Sequence, residues 1–150
     1  MSYTWEIVSW NVNGIRAALR KGFADWLQVQ NADVIGLQEV RAQVDLAEKE
    51  LAGMRPYIHV VAAEKKGYSG VGLLSKAVPT METSLESDEF DAEGRVQIAH
   101  YGSLTIANVY FPNGSGKNRD NSRIPYKLAF YRKLYDKLDA LRHNGQHVVV

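Results

Sequence analysis

The spacing of apolar residues along the chain is the sequence feature that most constrains its fold. Apolar runs of strand length cover residues 5–10 and 33–38, and the segment 22–30 between them carries apolar residues at helical spacing. A helix that connects two neighbouring strands allows them to pair in parallel. The first part of the chain therefore predicts a βαβ unit and an α/β fold.

Farther along, the pattern changes to short strands separated by turn residues. A helix over residues 45–52 and a strand over residues 57–62 come first, and the next expected strands are residues 71–74, 81–85, 95–101 and 104–111. Leucines and tyrosines at three- and four-residue spacing then predict a long helix from Pro125 to Leu141, ended by Gly145. The final residues, 147–150, predict a strand buried on both faces, because continuous β-branched runs are typical of such strands.

Composition narrows the class of protein. The chain has 150 residues, 45% of them hydrophobic, which is enough to bury one core. No apolar run approaches the roughly 18 residues of a membrane span, and no signal-peptide pattern is present, so we expect a cytoplasmic protein without a membrane partner. Because cysteine is absent, disulfides, thiolate zinc sites and a cysteine nucleophile are excluded.

The net charge of +1 does not indicate nucleic-acid binding through bulk positive charge, but the charges are unevenly distributed along the chain. An acidic stretch lies within residues 82–93, and a basic stretch lies within residues 117–127. Charge alone favours a solvated surface for both stretches. Their function therefore depends on the motifs around them.

Polar side chains follow three of the predicted strands. Asn11 follows the first strand, Glu39 follows the second, and Tyr110 and Asn113 lie where the last of the short strands ends. Ligands of α/β sheets gather at such an edge, so these residues form a candidate site. Each also has a simpler interpretation: Asn11 or Asn13 as a helix cap or left-handed turn, Glu39 as a solvated charge, and Tyr110 as a core aromatic residue.

Five blocks of the sequence, taken together, resemble the exonuclease III family of abasic-site (AP) endonucleases. They are SWNVNGIRA (residues 9–17), DVIGLQEV (33–40), KKGYSGVGLLSK (65–76), EGRV (93–96) and NVYFPNG (108–114). One block alone is a weak signal, but their order and separation are specific. The resemblance implies that residues 1–150 form one domain, the N-terminal half of a four-layered α/β sandwich with two packed β-sheets flanked by helices.

The resemblance also implies an activity. Members of this family hydrolyse the phosphodiester bond 5′ to an abasic site in double-stranded DNA, and they trim 3′ ends by 3′–5′ exonuclease activity, with Mg²⁺ or Mn²⁺. Glu39 matches the metal-binding carboxylate, and Asn11 matches an amide of the catalytic centre that also supports the metal. Tyr110 matches a tyrosine whose hydroxyl points at the scissile phosphate, and Asn113 matches a residue that holds the same phosphate.

Further positions match residues with which the family contacts DNA. The side chains are expected to bind phosphates, and the glycines are expected to let the main chain approach the duplex. The expected DNA-binding residues are Arg16, Lys21, Gly67, Tyr68, Gly70, Arg95, Asn113, Lys117 and Arg119. By this resemblance the protein is located in the cytoplasm or wherever its DNA lies.

Part of the family's catalytic centre has no counterpart in these residues. In relatives a valine-rich strand leads into a Gly-Asp-x-Asn motif, and an Asp-His pair follows later. The four histidines at positions 59, 100, 143 and 147 do not match that context and are interpreted as surface or strand histidines. We therefore expect the domain to be incomplete at Val150 and inactive without the C-terminal half of the same fold.

Two explanations for such a chain stay open: the first portion of a longer enzyme, which we favour, or a product that pairs with a second chain. Two alternative functions also stay open. One is a catalytically inactive DNA-binding fragment. The other is a related metal-dependent phosphodiesterase that acts on another phosphate ester.

Overall fold

The structure is a computed structural model that describes residues 3–150. Two four-stranded β-sheets pack face to face, and helices cover the outer face of each sheet. In this part of the chain, no helix is long and apolar enough to cross a lipid bilayer. The expected α/β fold with two packed sheets flanked by helices is confirmed.

The first sheet is formed by β1 (Ile7–Asn11), β2 (Val34–Gln38), β3 (Tyr57–Val61) and β4 (Val71–Ser75), in the spatial order β1-β2-β4-β3. β1 and β2 are parallel, which confirms the predicted βαβ unit, whereas β4 is antiparallel to both of its neighbours. Three helices pack on its outer face: α1 (Ile15–Arg20), α2 (Phe23–Val29) and α3 (Val44–Leu51). Because β1 and β2 run the same way, their last residues lie at one edge of the sheet.

The second sheet is formed by β5 (Thr80–Glu82), β6 (Val96–Tyr101), β7 (Leu104–Val109) and β8 (His147–Val149), in that spatial order. β5, β6 and β7 are antiparallel, and β8 pairs in parallel with β7. Its outer face is covered by α4 (Asp88–Asp91) and α5 (Ile124–His143). On α5, Phe130, Leu134 and Leu138 are buried, as their three- and four-residue spacing predicts.

Three elements differ from the sequence-based expectation. The short helix α1 was not predicted, because its six residues bury only Ile15 and Ala18 and are too few to reveal a period. β5 ends at Glu82 rather than at residue 85, and part of the acidic stretch forms α4. There the Asp91 carboxylate accepts hydrogen bonds from the Leu85 N–H at 2.8 Å and the Ser84 hydroxyl at 2.6 Å, which holds the chain in a turn.

The last strand, expected to be buried on both faces, is partly exposed among the described residues, and its burial in the complete fold stays a prediction. Val149 is 40% exposed and Val150 is 65% exposed. β8 is an edge strand whose one partner is β7, so its other side has no neighbouring strand among residues 3–150. Only Val148 packs against the core beneath α5.

Polar groups interrupt the apolar layer between the two sheets. Gln97 of β6 is fully buried, and its Nε2 lies 2.9 Å from His59 Nδ1 and 2.9 Å from the His59 carbonyl oxygen on β3. Burial lowers the pKa of His59 from its ordinary value, although the nearby Glu48 acts in the opposite direction. The neutral imidazole accepts from the Gln97 amide, and it links the two sheets in that form.

This link leads us to expect an acid-sensitive contribution to stability. Above the unfolded-state pKa of about 6.5, His59 is neutral in both states and the link is intact. As the pH falls below that value, the unfolded chain gains a proton before the folded one does, so the free energy of unfolding falls by up to about 1.4 kcal/mol per pH unit. Urea titrations at about pH 8 and pH 5.5 measure this loss, as the two conditions lie on either side of the transition.

A variant isolates the contribution of His59. His59→Asn retains an acceptor for Gln97 but does not titrate, so we expect it to lose less stability between the same two pH values than the wild type does. If both proteins lose equal stability on acidification, His59 is not the group responsible.

Candidate active site

The carboxylate of Glu39 lies at the centre of a cluster at one edge of both sheets. Its Oε1 accepts hydrogen bonds from Asn11 Nδ2 at 3.0 Å and from the Tyr110 hydroxyl at 2.7 Å. Its Oε2 forms an ion pair with Arg41 Nη2 at 2.6 Å. Asn11 ends β1, Glu39 follows β2, and Tyr110 follows β7 of the other sheet. The three residues expected at strand ends are therefore brought together where the two sheets meet.

The turn after β1 is bound to the turn after β2 by main-chain and side-chain hydrogen bonds. Asn11 Oδ1 accepts from the Asn13 N–H at 3.0 Å, and Asn13 has a φ of 48°. The next N–H, of Gly14, donates to the Glu39 carbonyl oxygen at 2.7 Å, and that of Ile15 donates to the Val40 carbonyl oxygen at 3.0 Å. Asn11 thus shapes a left-handed turn and also reaches Glu39, it does not cap α1, and its role in a catalytic centre stays a prediction.

The Glu39 segment adopts an unusual backbone conformation. Glu39 has a φ of 54° and Arg41 a φ of 52°, in the left-handed region that costs a non-glycine residue roughly 1–2 kcal/mol. Neighbouring backbone holds the segment: the Val40 N–H donates to the Gly70 carbonyl oxygen at 3.0 Å, and the Arg41 N–H donates to the Ser69 carbonyl oxygen at 2.9 Å. Such conformations persist where the surrounding structure over-determines them, and they cluster at functional sites.

The hydrogen bonds of the cluster set the ionisation of its members. Burial alone would raise the pKa of Glu39, but the hydrogen bonds from Asn11 and Tyr110 and the charge of Arg41 outweigh burial and hold it below its ordinary value. Burial and the bond to Glu39 raise the pKa of Tyr110 to about 12. At neutral pH, Glu39 is therefore a carboxylate and Tyr110 is a phenol that can donate a hydrogen bond.

Arg95 is buried directly behind Tyr110. Its Nη1 donates to the Tyr110 carbonyl oxygen at 3.0 Å, its Nη2 donates to the Tyr68 hydroxyl at 2.9 Å, and its Nε contacts the Glu93 carboxylate at 2.6 Å. The guanidinium also lies 4.8 Å from the centre of the Tyr110 ring. Arg95 is 4% exposed, so little of its side chain is open to solvent, and its expected contact with a DNA phosphate stays a prediction. Within the described residues it contacts both tyrosines, Tyr68 and Tyr110.

The other expected DNA-binding residues fall into two groups. Tyr68 is half-buried and Gly70 is buried. Gly70 has a φ of 86°, and a Cβ at this position would lie 3.3 Å from the Val61 carbonyl oxygen. Gly70 thus allows close packing of its loop, and its expected role at the DNA stays a prediction. The expected residues that lie exposed are Arg16, Lys21, Gly67, Asn113, Lys117 and Arg119.

Asn113 does not join the Glu39 cluster. Its Oδ1 accepts from the Ser115 N–H at 3.2 Å, and within residues 3–150 it forms no hydrogen bond to Glu39, Asn11 or Tyr110. Sequence reasoning missed Arg41 and Glu93, which pair with Glu39 and Arg95. Their positions inside the QEVR and EGRV segments were a signal, but charge alone did not distinguish them from surface residues.

The donor set of the cluster fits a hard divalent cation in one respect. Glu39 offers a carboxylate, and Mg²⁺ is commonly held by one or two carboxylates together with waters and substrate phosphate. Across the described residues there is no group of three or more His, Cys, Asp or Glu side chains that could hold a metal ion. Asn11 turns its Nδ2 to Glu39 and engages its Oδ1 with Asn13, so its role as a metal ligand stays a prediction.

Comparisons with known proteins identify the family of the chain. The model of the Endonuclease/Exonuclease/phosphatase family matches residues 8–150. The chain is 36% identical over 114 residues to the DNA repair nuclease APEX1 of Danio rerio, and this alignment covers 73% of this chain and 37% of that protein. It is 35% identical over 134 residues to an exodeoxyribonuclease of Bacillus subtilis (strain 168), and this alignment covers 86% of this chain and 50% of that enzyme. The chain thus spans half or less of the length of these relatives.

Solved structures share the fold. The Xenopus laevis APE2 catalytic domain superposes with a TM-score of 0.74 at 28% identity, covering 95% of this chain and 56% of that one. The 3′ phosphatase NExo from Neisseria, bound to a product DNA hairpin, superposes with a TM-score of 0.76 at 24% identity, covering 97% and 55%, a likeness of fold alone. The chain therefore belongs to the endonuclease/exonuclease/phosphatase family, which confirms the resemblance indicated by its five sequence blocks.

Proposed function

We propose that the protein is a DNA repair nuclease that hydrolyses the phosphodiester bond 5′ to abasic sites and trims 3′ ends, with Mg²⁺ or Mn²⁺. The observation that carries the proposal is the ionised Glu39 carboxylate, which accepts from Asn11 and Tyr110 where the two sheets meet. The names of the relatives, a DNA repair nuclease and an exodeoxyribonuclease, support DNA as the substrate. Residues 1–150 supply the metal-binding carboxylate, and the other half of the fold supplies the rest of the catalytic centre.

The residues of this chain have distinct tasks in the proposed reaction. Glu39 holds the divalent cation, which when bound neutralises phosphate charge and stabilises the leaving oxygen. Tyr110 keeps its proton at neutral pH, and its one O–H, which donates to Glu39 in the described structure, would turn to a phosphoryl oxygen of bound substrate, where negative charge develops. Asn11 orients Glu39 through their 3.0 Å hydrogen bond. Arg95 holds the Tyr110 ring and main chain in place from behind.

The exposed cations supply sequence-independent affinity for the duplex. Arg16 and Lys21 lie on and just after α1, close in sequence to Asn11, and Lys117 and Arg119 lie in the loop that follows Asn113. Contacts of this kind position the protein on DNA through phosphates and carry no base information. A locally basic face suffices for such binding, although the net charge of the chain is only +1.

A comparison of substrates tests the proposed function. The protein in its natural full length is assayed with magnesium on a duplex with one abasic site, on the same duplex without it, and on a soluble phosphate monoester. Incision of the abasic duplex well above the other two rates supports the proposal. Equal rates on the abasic duplex and the soluble ester favour the alternative phosphodiesterase. Residues 1–150 alone should give no turnover, and turnover near that of the complete protein would reject the need for a C-terminal half.

Removal of one exposed charge tests the DNA interface. We expect Lys21→Ala to weaken duplex binding equally for unrelated sequences and to reduce the slope of log affinity against log salt by about 0.9, because one phosphate contact is lost. Fluorescence anisotropy over a range of salt concentrations measures the slope. Lys49→Ala, which removes an exposed charge on α3 away from the strand ends, is the matched control and should retain the wild-type slope. A Lys21 variant with an unchanged slope would exclude this residue from the interface.

A further inference from the structure

One amide crosses the interface between the two sheets near the candidate active site. Asn108 on β7 is 5% exposed, and its Oδ1 accepts from Gln38 Nε2 of β2 at 2.7 Å. Its Nδ2 faces three acceptors: the Gly72 carbonyl oxygen at 2.9 Å, the Gln97 Oε1 at 3.0 Å and the Leu37 carbonyl oxygen at 3.2 Å. Because acceptors surround Nδ2 and a donor faces Oδ1, the orientation of the amide is determined by its surroundings. Asn108 therefore connects β7 to two strands of the other sheet.

The facing strand is shaped to receive this amide. A Cβ added to Gly36 would lie 2.9 Å from Asn108 Oδ1 and 3.0 Å from its Cγ, closer than a Cβ normally approaches such atoms. A glycine inside a strand commonly marks such a close approach. Gln38 completes the contact, since its Nε2 also lies 3.1 Å from the Ser9 hydroxyl oxygen of β1. The amide contact therefore has a built site on the first sheet and is not an accident of one side chain.

The position of this contact relative to the active site is the basis of our inference. Gln38 immediately precedes Glu39, and Asn108 lies two residues before Tyr110. The two hydrogen-bonded amides therefore lie on the strands that lead to Glu39 and to Tyr110. We propose that Asn108 and Gln38 are positioning residues that set the separation of Glu39 and Tyr110 across the two sheets. The effect on turnover rests on the proposed nuclease function, whereas the effect on geometry does not.

A purely structural role explains the contact less well. Much of the contact between the two sheets is apolar and includes Val34, Leu73, Ala99 and Ile106, although Gln97 also contacts His59 across it. Apolar residues of similar shape often replace a buried hydrogen-bonded pair without loss of stability, so stability alone does not require amides here. The hydrogen bond adds direction and register, because it is satisfied in only one alignment of the two strands. The 2.7 Å hydrogen bond between Tyr110 and Glu39 requires the same alignment of β7 with β2.

The first test compares turnover with substrate binding in the natural full-length protein. We expect Asn108→Leu to lower kcat on an abasic duplex by about tenfold to a hundredfold, because a small misplacement of reacting groups has effects of this size, while KM changes by less than about twofold. Thr105→Val is the matched control, because Thr105 is a fully buried polar residue of the same strand that bonds to His100 and Gln146 instead. It should leave kcat unchanged. A wild-type kcat in folded Asn108→Leu would overturn the proposal.

The second test does not depend on activity. The change in unfolding free energy caused by Tyr110→Phe is measured in the wild type, in Asn108→Leu and in Thr105→Val. If Asn108 aligns Tyr110 with Glu39, the Asn108→Leu background should lose about half or more of that change, because coupled residues are not additive, and the Thr105→Val background should retain it. Additive effects in both backgrounds would refute the positioning role.

A milder variant keeps both tests decisive if Asn108→Leu does not fold. Gln38→Met removes the 2.7 Å bond to Asn108 Oδ1 but leaves the three acceptors of Asn108 Nδ2 in place. The same loss of kcat and of coupling to Tyr110 is expected, and wild-type values for both would reject the proposal. If the wild type does not incise an abasic duplex at all, the proposed function fails, and the stability measurements alone decide the positioning role.

Discussion

Replacement of Glu39 by glutamine should lower turnover on an abasic duplex by at least about a hundredfold and should raise the magnesium concentration needed for half-maximal rate. Partners that merely support a metal ligand are worth about 10–100-fold in metal affinity or activity, so the ligand itself should be worth no less. Glutamine retains an oxygen that can accept from Asn11 and Tyr110, but it removes the negative charge that attracts a cation and pairs with Arg41 at 2.6 Å. The change thus separates charge from shape.

Initial rates over a magnesium titration in the full-length protein measure both effects. Glu50→Gln, at an exposed position of α3, is the matched control for the loss of one carboxylate and should keep the wild-type magnesium dependence. Isothermal titration of magnesium gives the same comparison without turnover. Wild-type rates and magnesium affinity in Glu39→Gln would show that the cation is held elsewhere.

Replacement of Tyr110 by phenylalanine should lower kcat by about 100- to 1,000-fold, which is the usual cost of removing one preorganised donor from a developing oxyanion. DNA affinity should change little, because the Tyr110 ring and its contact with the Arg95 guanidinium at 4.8 Å stay in place. Tyr135→Phe, at an exposed tyrosine of α5, controls for the loss of a hydroxyl. Single-turnover rates and anisotropy binding curves measure the two quantities, and equal losses in both would make Tyr110 a binding residue.

The pH dependence of this effect follows from the ionisation of Tyr110. Its pKa is raised to about 12, first by burial and then by the bond to Glu39, so the hydroxyl keeps its proton over the whole working range. The ratio of wild-type to Tyr110→Phe rates should therefore stay constant from about pH 6 to pH 10, and it should fall only as the pH rises towards 12. A ratio that collapses near pH 10 would indicate an ordinary, unperturbed phenol.

Much of the fold follows from local patterns, and the exceptions have local causes. The regular three- and four-residue spacing of apolar residues along α5 and the apolar runs of β1, β2 and β4 were sufficient to predict the ends of those elements to within two residues. Helix α1 was not predicted because six residues are too few to show a helical spacing. β5 ends early because the Asp91 carboxylate accepts a hydrogen bond from the Leu85 N–H and holds the following residues in a turn. The burial of the last strand on both faces, expected from its valines, stays a prediction, because it depends on which strands lie beside it.

The candidate site divides in the same way. Sequence blocks were sufficient to select Asn11, Glu39 and Tyr110, because each follows a strand and belongs to a recognisable motif. They did not reveal that Arg95, expected from its motif position to contact DNA, is 4% exposed and contacts Tyr68 and Tyr110. The type of a residue indicates what it can bind, whereas its neighbours in the fold decide how far its side chain is exposed.

The sequence by itself determined the α/β class, the family and the chemical groups available for catalysis, because these depend on residue types and spacing along one strand or helix. Only the tertiary structure decided that Glu39 receives hydrogen bonds from both sheets, that Arg41 pairs with it, and that Asn108 crosses the interface to Gln38. These contacts join residues up to 71 positions apart, as Tyr110 and Glu39 are. Such pairs form only when two separate sheets pack in one register, and that register is a property of the assembled core.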